Sequence, residues 1–478
     1  MSDLTELDIE KEALSGTVAQ FATVGFGFVG TVAFARVLGP TDFGGVVLFL
    51  AVVGILGNPM DGFAVAVHKE VSGSTSVLDE ALGSQLLFNL AWILVLTVPL
   101  AVFGGLFAAE TGLQRASLLA VCYLATNSML ETLYSPLQGL GRIGFSYWLD
   151  TAKRVFGVTF RIVGVLAVGA VGMIYGSIAV AVLFLPFLFW VLGKRPTIPS
   201  ASVFKDHAGY AKFSMPSRLL SSLAKRFDVF LLGALATTAA VSWYEVAWQL
   251  AIPGFYLVQS LGSSLMTKVS AMGRTADGVD AQINGVLTYA SILAVPLFFG
   301  STALGREVLT LLFGAKYGAA TPFLIGLTAY QVVRSQSEPL ELAAKGLNYP
   351  DAVLSVRVAT AATNVVFGVW LLLTVGPIGV IYATILSGLV RFGLLLHLFR
   401  RRLGFEVRVQ RQFGEQLAAG VVMFLIVSGA DRLFAVDSSL ATALLLALGA
   451  STYFGTLALV GRSHRTLLLQ LYERFVPS

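Results

Sequence analysis

Charged side chains are scarce in this sequence and make up only 12% of its 478 residues. Soluble globular proteins carry about 25% charged residues. Hydrophobic residues instead account for 56% of the chain, and the mean hydropathy is +0.80. The core of a water-soluble protein could not hide so much apolar surface. The composition therefore excludes a water-soluble protein and predicts a bundle of membrane helices.

Cysteine, histidine and the usual catalytic motifs are also rare or missing. Cys122 is the single cysteine, so no disulfide can form within the chain. The four histidines are scattered, and neither a CxxC pair nor a His-rich spacing offers a metal site. The sequence contains no phosphate-binding loop, zinc-protease helix or convincing Ser-His-Asp set. We therefore expect no metal, no cofactor and no catalysis.

Long apolar runs predict about 14 membrane spans, because each span needs about 20 apolar residues. No basic start or small-residue cleavage site precedes the first span, so we expect that span, not a cleaved signal peptide, to target the chain. The predicted spans are 13–35, 43–67, 81–107, 116–137, 145–170, 174–192, 215–235, 241–265, 283–304, 320–343, 352–375, 378–398, 413–430 and 440–460.

Lysine and arginine are distributed unevenly over the loops between these spans. About 18 of them fall in one set of loops and termini, and about five fall in the other set. Because cytoplasmic loops are enriched in these residues, we expect both termini to be cytoplasmic. The net charge of +5 reflects this bias and needs no nucleic-acid partner to explain it.

A repeat divides the chain into two similar halves. The segment VGMIY at 171–175 recurs as IGVIY at 378–382, an offset of 207 residues. Gly139 and Glu131 recur at the same offset as Gly346 and Glu338. In membrane proteins, paired halves are typical of transporters. The predicted division is an N-terminal lobe (1–192), a cytoplasmic linker (193–212), a C-terminal lobe (213–399), and a last linker, helix pair and cytoplasmic tail (400–478).

Ionisable residues within the predicted spans are the candidate functional residues, since each costs about 2.5–3.5 kcal/mol at the bilayer centre. Arg218 and Arg391 lie near span ends, and we expect both to snorkel to the interface. The substrate-binding candidates are Arg154, Arg161, Lys225, Arg226, Arg334 and Arg357. The candidates for coupling or charge pairing are Glu131, Asp150, Asp228 and Glu338.

Several of these residues form stripes along one helix. Asp150, Arg154 and Arg161 recur at helical spacing on the fifth span, and Arg334 and Glu338 do so on the tenth. One interpretation is that they form salt bridges that fix helix packing, such as Asp150 with Arg154. The other is that they line a wet central cavity, which we expect for Arg154, Arg161, Arg334 and Arg357 because burying so many pairs is costly. Arginine predominates, and its planar guanidinium suits phosphate oxygens.

Five motifs give the chain a resemblance to a known family. They are RVLGPTDFG at 36–44, QGLGR at 138–142, RFDVFLLG at 226–233, VSWY at 241–244 and FGAKY at 313–317. In order and spacing, from about 13 to about 460, they resemble polysaccharide-unit (Wzx-type) flippases. This is a branch of the multidrug/oligosaccharidyl-lipid/polysaccharide exporter superfamily. Ser242 departs from the pattern, because the family usually has glycine there.

The resemblance implies an all-α polytopic membrane protein with two six-helix lobes in a V-shaped, MATE-like arrangement and an additional C-terminal helix pair. It also implies a flippase for a polyprenyl phosphate- or pyrophosphate-linked oligosaccharide, with membrane lipids as partners and coupling to H+ or Na+ left open. The alternatives are a cation-coupled multidrug exporter and a peptidoglycan-precursor flippase. A membrane glycosyltransferase is disfavoured because every predicted loop is short.

Overall fold

The computed structural model describes residues 6–73, 78–139, 143–193, 195–272, 278–405, 407–434 and 438–460. Within those ranges every regular element is a helix. The chain divides into two compact units, Met1–Ser242 (the first unit) and Trp243–Ser478 (the second unit).

The first unit contains eight α-helices, and a π-helical turn, Leu124–Ser128, joins its fourth helix to its fifth. The helices are α1 (Glu6–Gly73), α2 (Leu78–Val102), α3 (Gly104–Thr111), α4 (Ala116–Tyr123), α5 (Met129–Gly139), α6 (Ile143–Val168), α7 (Ala170–Leu192) and α8 (Ala201–Leu235).

Helix α9 (Thr238–Ala251) crosses from the first unit into the second. A 3-10 turn precedes α13, and a π-helical turn follows α15. The remaining helices are α10 (Pro253–Met272), α11 (Val279–Ala290), α12 (Ala294–Phe313), α13 (Thr321–Gly346), α14 (Pro350–Val375), α15 (Gly379–His397), α16 (Arg411–Phe434) and α17 (Ser439–Val460).

Nine helical stretches in the described residues are long and apolar enough to cross a membrane. The first of them, Val24–Val71, includes most of the two spans predicted at 13–35 and 43–67. The predicted spans that fall outside the nine lie on α6, α8, α9–α10 and α13. Charged residues lower the hydropathy of α6, α8 and α13, and those helices carry most of the candidate site residues. The count of about 14 spans stays a prediction.

A kink replaces the loop expected between the first two predicted spans. At Gly39 the backbone has φ 76° and ψ 175°, a conformation open in practice only to glycine, and Pro40 follows. A Cβ on Gly44 would lie 1.7 Å from the carbonyl oxygen of Thr238. The glycines of the RVLGPTDFG motif therefore allow the kink and a close backbone contact.

The repeated glycine motif closes one helical hairpin in each unit. Gly169 and Gly376, also 207 residues apart, have φ values of 65° and 91° in the turns that precede α7 and α15. A Cβ on Gly172 would lie 1.8 Å from the Gly164 oxygen, and one on Gly379 would lie 2.2 Å from the Leu371 oxygen. Glycine recurs in the motif because the two helices of each hairpin touch through their backbones.

The segment predicted as a linker at 193–212 is partly helical and docked on the first unit. Residues from Ala201 onward belong to α8, and the Ser200 hydroxyl donates to Glu80 Oε2 at 2.9 Å. Further along α8, the Ser214 hydroxyl donates to the Gly62 carbonyl oxygen at 2.6 Å. Packing thus places α8 with the first unit, whereas the repeat assigns 213–235 to the second lobe. The lobe boundaries stay a prediction.

Candidate functional site

Four charged side chains meet on α5 and α6, and we call them the first-unit cluster: Glu131, Asp150, Lys153 and Arg154. Lys153 Nζ forms an ion pair with Glu131 and lies 3.1 Å from Asp150 Oδ1. Arg154 Nε donates to Asp150 Oδ2 at 3.2 Å. Lys153 also sits 5.0 Å from the centroid of the Tyr134 ring. Two cations face two carboxylates, so the cluster has no net charge.

Arg161 lies farther along α6 and is separate from this cluster. Its Nε atom is buried without a hydrogen-bond partner, and it forms no ion pair among the described residues. The α7 backbone approaches it closely, because a Cβ on Gly176 would lie 2.6 Å from the Arg161 Cα. Arg161 is therefore a guanidinium with unused hydrogen-bonding capacity inside the first unit.

Asp61 on α1 lies near the first-unit cluster, although it was not among the candidates predicted from the sequence. It lies within electrostatic range of Glu131 and Arg218. The signal was present in the sequence, because Asp61 is a carboxylate inside the predicted span 43–67.

Six charged side chains meet in the second unit on α13, α14 and α15, and we call them the second-unit cluster: Arg334, Glu338, Glu341, Lys345, Arg357 and Arg391. Glu341 is at its centre, and its side chain is 1% exposed. Arg357 donates to Glu341 Oε1 from Nε at 2.8 Å and from Nη2 at 2.6 Å. Lys345 Nζ lies 2.8 Å from the same oxygen.

Arg391 bridges the two carboxylates of the second-unit cluster. It donates to Glu341 Oε2 from Nε at 3.0 Å and from Nη2 at 2.5 Å, and to Glu338 Oε2 from Nη2 at 2.9 Å. The expectation that Arg391 snorkels was wrong, because its side chain is only 12% exposed and points to these carboxylates. The position of Arg391 in the sequence shows how far it lies from the end of its span, but it does not show which way its side chain points.

Arg334 is held more loosely. Its Nε lies 3.7 Å from Glu338 Oε2, is buried, and lacks a hydrogen-bond partner. The guanidinium carbon is 3.4 Å from the centroid of the Phe255 ring, which gives a cation–π contact. Four cations face two carboxylates in the second-unit cluster, so its formal charge is +2.

Of the candidates on α8, Lys225 and Arg226 are exposed, and Asp228 is half-buried. The structure therefore brings together Glu131, Asp150 and Arg154 in one unit and Arg334, Glu338 and Arg357 in the other. Sequence reasoning left Lys153, Glu341, Lys345 and Arg391 out of the candidate site. In the described ranges, no group of three or more His, Cys, Asp or Glu side chains is placed to hold a metal ion.

The long apolar helices with buried charges define a multi-pass membrane protein. The sequence profile of the family described as "Polysaccharide biosynthesis protein" matches residues 9–265, which is more than half of the chain. The chain therefore belongs to the polysaccharide biosynthesis protein family. The resemblance found in the sequence motifs is therefore confirmed for the family.

Two proteins of Haloferax volcanii are similar in sequence. The "Probable low-salt glycan biosynthesis flippase Agl15" is 26% identical over 440 residues, which cover 90% of this chain and 92% of that protein. The "Probable flippase AglR" is 24% identical over 268 residues, which cover 55% of this chain and 56% of that protein.

Two solved structures share the fold. "Lipid II flippase MurJ, inward closed conformation" superposes with a TM-score of 0.77 at 14% identity and covers 95% of this chain and 99% of that one. An inward-facing multidrug resistance MATE family transporter superposes with a TM-score of 0.60 at 18% identity and covers 80% of this chain and 94% of that one. The prediction of an all-α membrane fold is confirmed.

Proposed function

We propose that this protein is a flippase that moves a polyprenyl phosphate- or pyrophosphate-linked oligosaccharide across the cytoplasmic membrane. It works by alternating access and serves the assembly of a surface polysaccharide or another glycan. Family membership supports this proposal, as do two relatives whose names describe flippases, one of them in glycan biosynthesis. Both termini face the cytoplasm in this proposal, and H+ or Na+ coupling is left open.

The observation that carries the proposal is the excess of cations inside the helices of the second unit. Arg334, Arg357 and Arg391 are retained there although each charge is costly in a membrane, and Lys345 joins them from the last turn of α13. Glu338 and Glu341 offset only two of these four positive charges. An anionic substrate explains the surplus of positive charge. One guanidinium group can donate two parallel hydrogen bonds to the oxygens of a phosphate. A carrier of cationic drugs would be better served by an acidic site.

The candidate residues divide into two roles. Those proposed to contact the phosphate groups of the substrate are Arg154, Arg161, Lys225, Arg226, Arg334 and Arg357. Those proposed to pair with them and to exchange partners during transport are Glu131, Asp150, Asp228 and Glu338. The chain itself catalyses no reaction in this proposal, because translocation leaves the covalent structure of the lipid-linked glycan unchanged.

A reconstitution experiment tests the function. Purified protein in liposomes is given a fluorescent polyprenyl diphosphate-linked oligosaccharide, and a membrane-impermeant quencher reports how much of it changes leaflet. We expect translocation well above that of protein-free liposomes. Efflux of cationic drugs along an ion gradient, with no movement of the lipid-linked glycan, would establish the multidrug alternative instead. Movement of a peptidoglycan precursor alone would establish the other alternative.

A further inference from the structure

Glu341 has no capacity left for another donor. A carboxylate offers about four lone-pair positions. Glu341 Oε1 receives two nitrogens of Arg357 and the Lys345 ammonium, and Oε2 receives two nitrogens of Arg391. One buried carboxylate therefore fixes three cations from three helices, α13, α14 and α15, within one small volume.

The two carboxylates offset only part of the positive charge in the second-unit cluster. Four cations face Glu338 and Glu341, so a formal charge of +2 remains although Lys345 and Arg357 both contact Glu341. The Arg357 side chain is 57% exposed, and in the described part of the chain its Nη1 atom has no hydrogen-bond partner. The Lys345 side chain is 29% exposed. Both groups can therefore reach a ligand without unfolding the cluster.

The fold itself does not require this arrangement. At the offset of 207 residues, the counterparts of Glu341, Lys345, Arg357 and Arg391 in the first unit are Tyr134, Gln138, Asp150 and Phe184. The corresponding helices of the first unit are thus built without a central buried carboxylate, and their ion cluster, which lies at other positions, is neutral. The surplus positive charge of the second unit is therefore not a requirement of the fold.

The cluster lies near one end of its helices. Lys345 is in the last turn of α13, and Arg357 comes seven residues after Pro350, about 10 Å along α14. Arg391 lies six residues before His397, about 9 Å from the end of α15. In the proposed topology of 14 spans with cytoplasmic termini, the chain emerges on the cytoplasmic side after the tenth span, 320–343, so this end faces the leaflet in which a substrate is loaded.

We propose that Lys345 and Arg357 form the seat for the diphosphate of the lipid-linked substrate at the predicted cytoplasmic end of the second unit. Glu341 and Arg391 are positioning residues, because they hold the two ligand-binding cations in place. This inference rests on the proposed function and specifies where the head group is first bound. A diphosphate suits the seat because it presents two anionic groups to two neighbouring cations.

Ligand binding to the full-length protein tests the seat. The protein is placed in nanodiscs of zwitterionic lipid and titrated with geranylgeranyl diphosphate, and dissociation constants are obtained by thermophoresis. Lys345→Gln and Arg357→Gln should each weaken binding about tenfold, the effect expected for losing a hydrogen bond to a charged group. Lys268→Gln is the matched control, because Lys268 is exposed on α10 in the same unit, and it should bind like wild type.

Competing ligands show whether the seat recognises a diphosphate or any anionic lipid head group. Geranylgeraniol and phosphatidylglycerol should compete poorly, and inorganic pyrophosphate should compete measurably. Competition by phosphatidylglycerol as strong as that by the diphosphate would overturn the proposal and indicate a seat for any anionic lipid. Equal binding by wild type, Lys345→Gln and Arg357→Gln would overturn it too.

The positioning role of Glu341 needs a separate readout. In Glu341→Gln we expect the preference for geranylgeranyl diphosphate over geranylgeraniol to fall, whereas geranylgeraniol binding stays unchanged. An unchanged preference in folded Glu341→Gln protein would contradict that role. Failure of the seat and failure of the function are distinguishable. Normal translocation by Lys345→Gln and Arg357→Gln refutes the seat alone, whereas no translocation by wild type refutes the function.

Discussion

The two charge clusters occupy repeat-related helices, yet their electrostatics differ. In the first unit, Lys153 contacts both Glu131 and Asp150, and charge is balanced. In the second unit, Glu338 corresponds to Glu131, but Arg357 stands where the first unit has Asp150. The repeat therefore keeps a carboxylate at Glu131 and Glu338 but does not fix the sign of the charge at Asp150 and Arg357. A closed, neutral cluster suits packing, and an open, cationic one suits an anionic ligand.

The largest effect on folding is expected at Arg391. Arg391→Ala leaves Glu338 and Glu341 short of a partner in a buried place, and breaking such a pair costs about 3–5 kcal/mol. Arg154→Ala in the first unit should cost less than about 1 kcal/mol, because Arg154 is 51% exposed and Asp150 keeps Lys153. Thermal unfolding of purified protein measures both. Similar losses of stability in the two variants would mean that the two clusters contribute equally to folding.

The next largest effect is on transport at Arg357. Arg357→Ala should abolish translocation of a lipid-linked oligosaccharide while the protein still inserts, because half of the proposed diphosphate seat is gone. Arg357→Lys should restore it only in part, since an ammonium lacks the two-pronged donor geometry. Initial translocation rates in liposomes give the comparison, and Lys268→Gln should match wild type. Full activity in Arg357→Ala would remove this residue from the site.

The glycine hairpins should respond alike in the two units. Gly172→Ala and Gly379→Ala each force a Cβ into a backbone carbonyl, so each should destabilise its unit by about 1–3 kcal/mol. Gly285→Ala is the control, because no atom lies within 4 Å of a Cβ there. Unfolding midpoints check this prediction. A large effect in only one unit would show that the hairpins are not packed equivalently.

The smallest effect concerns His207, which lies on α8 before the predicted span. Its Nδ1 is 3.0 Å from the Ser84 hydroxyl, and its Nε2 contacts Glu70. Burial lowers the pKa of the His207 imidazole below its ordinary value of 6.5, although Glu70 raises it in part. The docked state of residues 197–210 therefore favours neutral His207. It is most stable above pH 6.5 and loses stability as the pH drops below that value.

Hydrogen exchange of residues 197–210 between pH 5 and pH 7.5 measures this effect. Wild type should exchange faster at the acidic end after correction for intrinsic rates, and His207→Gln should flatten the dependence. Faster hydrogen exchange of wild type at pH 7.5 than at pH 5 would contradict this role of His207.

The sequence predicted the class, the helices and the residues that carry charge, because apolar runs and charged stripes are local patterns. It did not predict partners. Arg391 and Glu341 meet across α13 and α15, and no local pattern reveals which way a long side chain points. The docking of the 193–212 segment was missed for the same reason. Its prolines and small residues suggested a linker, whereas Glu80 and Ser84 hold it from another helix.

The proposed function depends on the surplus cations of the second-unit cluster, which bind the phosphate groups of the substrate. The test is the translocation rate of one lipid-linked oligosaccharide by liposomes containing wild type, the Lys345→Gln/Arg357→Gln double variant, or Lys268→Gln. We expect the double variant to lose translocation and Lys268→Gln, which changes an exposed cation of the same unit, to keep the wild-type rate. Translocation by the double variant at the wild-type rate, or an equal loss in Lys268→Gln, would contradict this role.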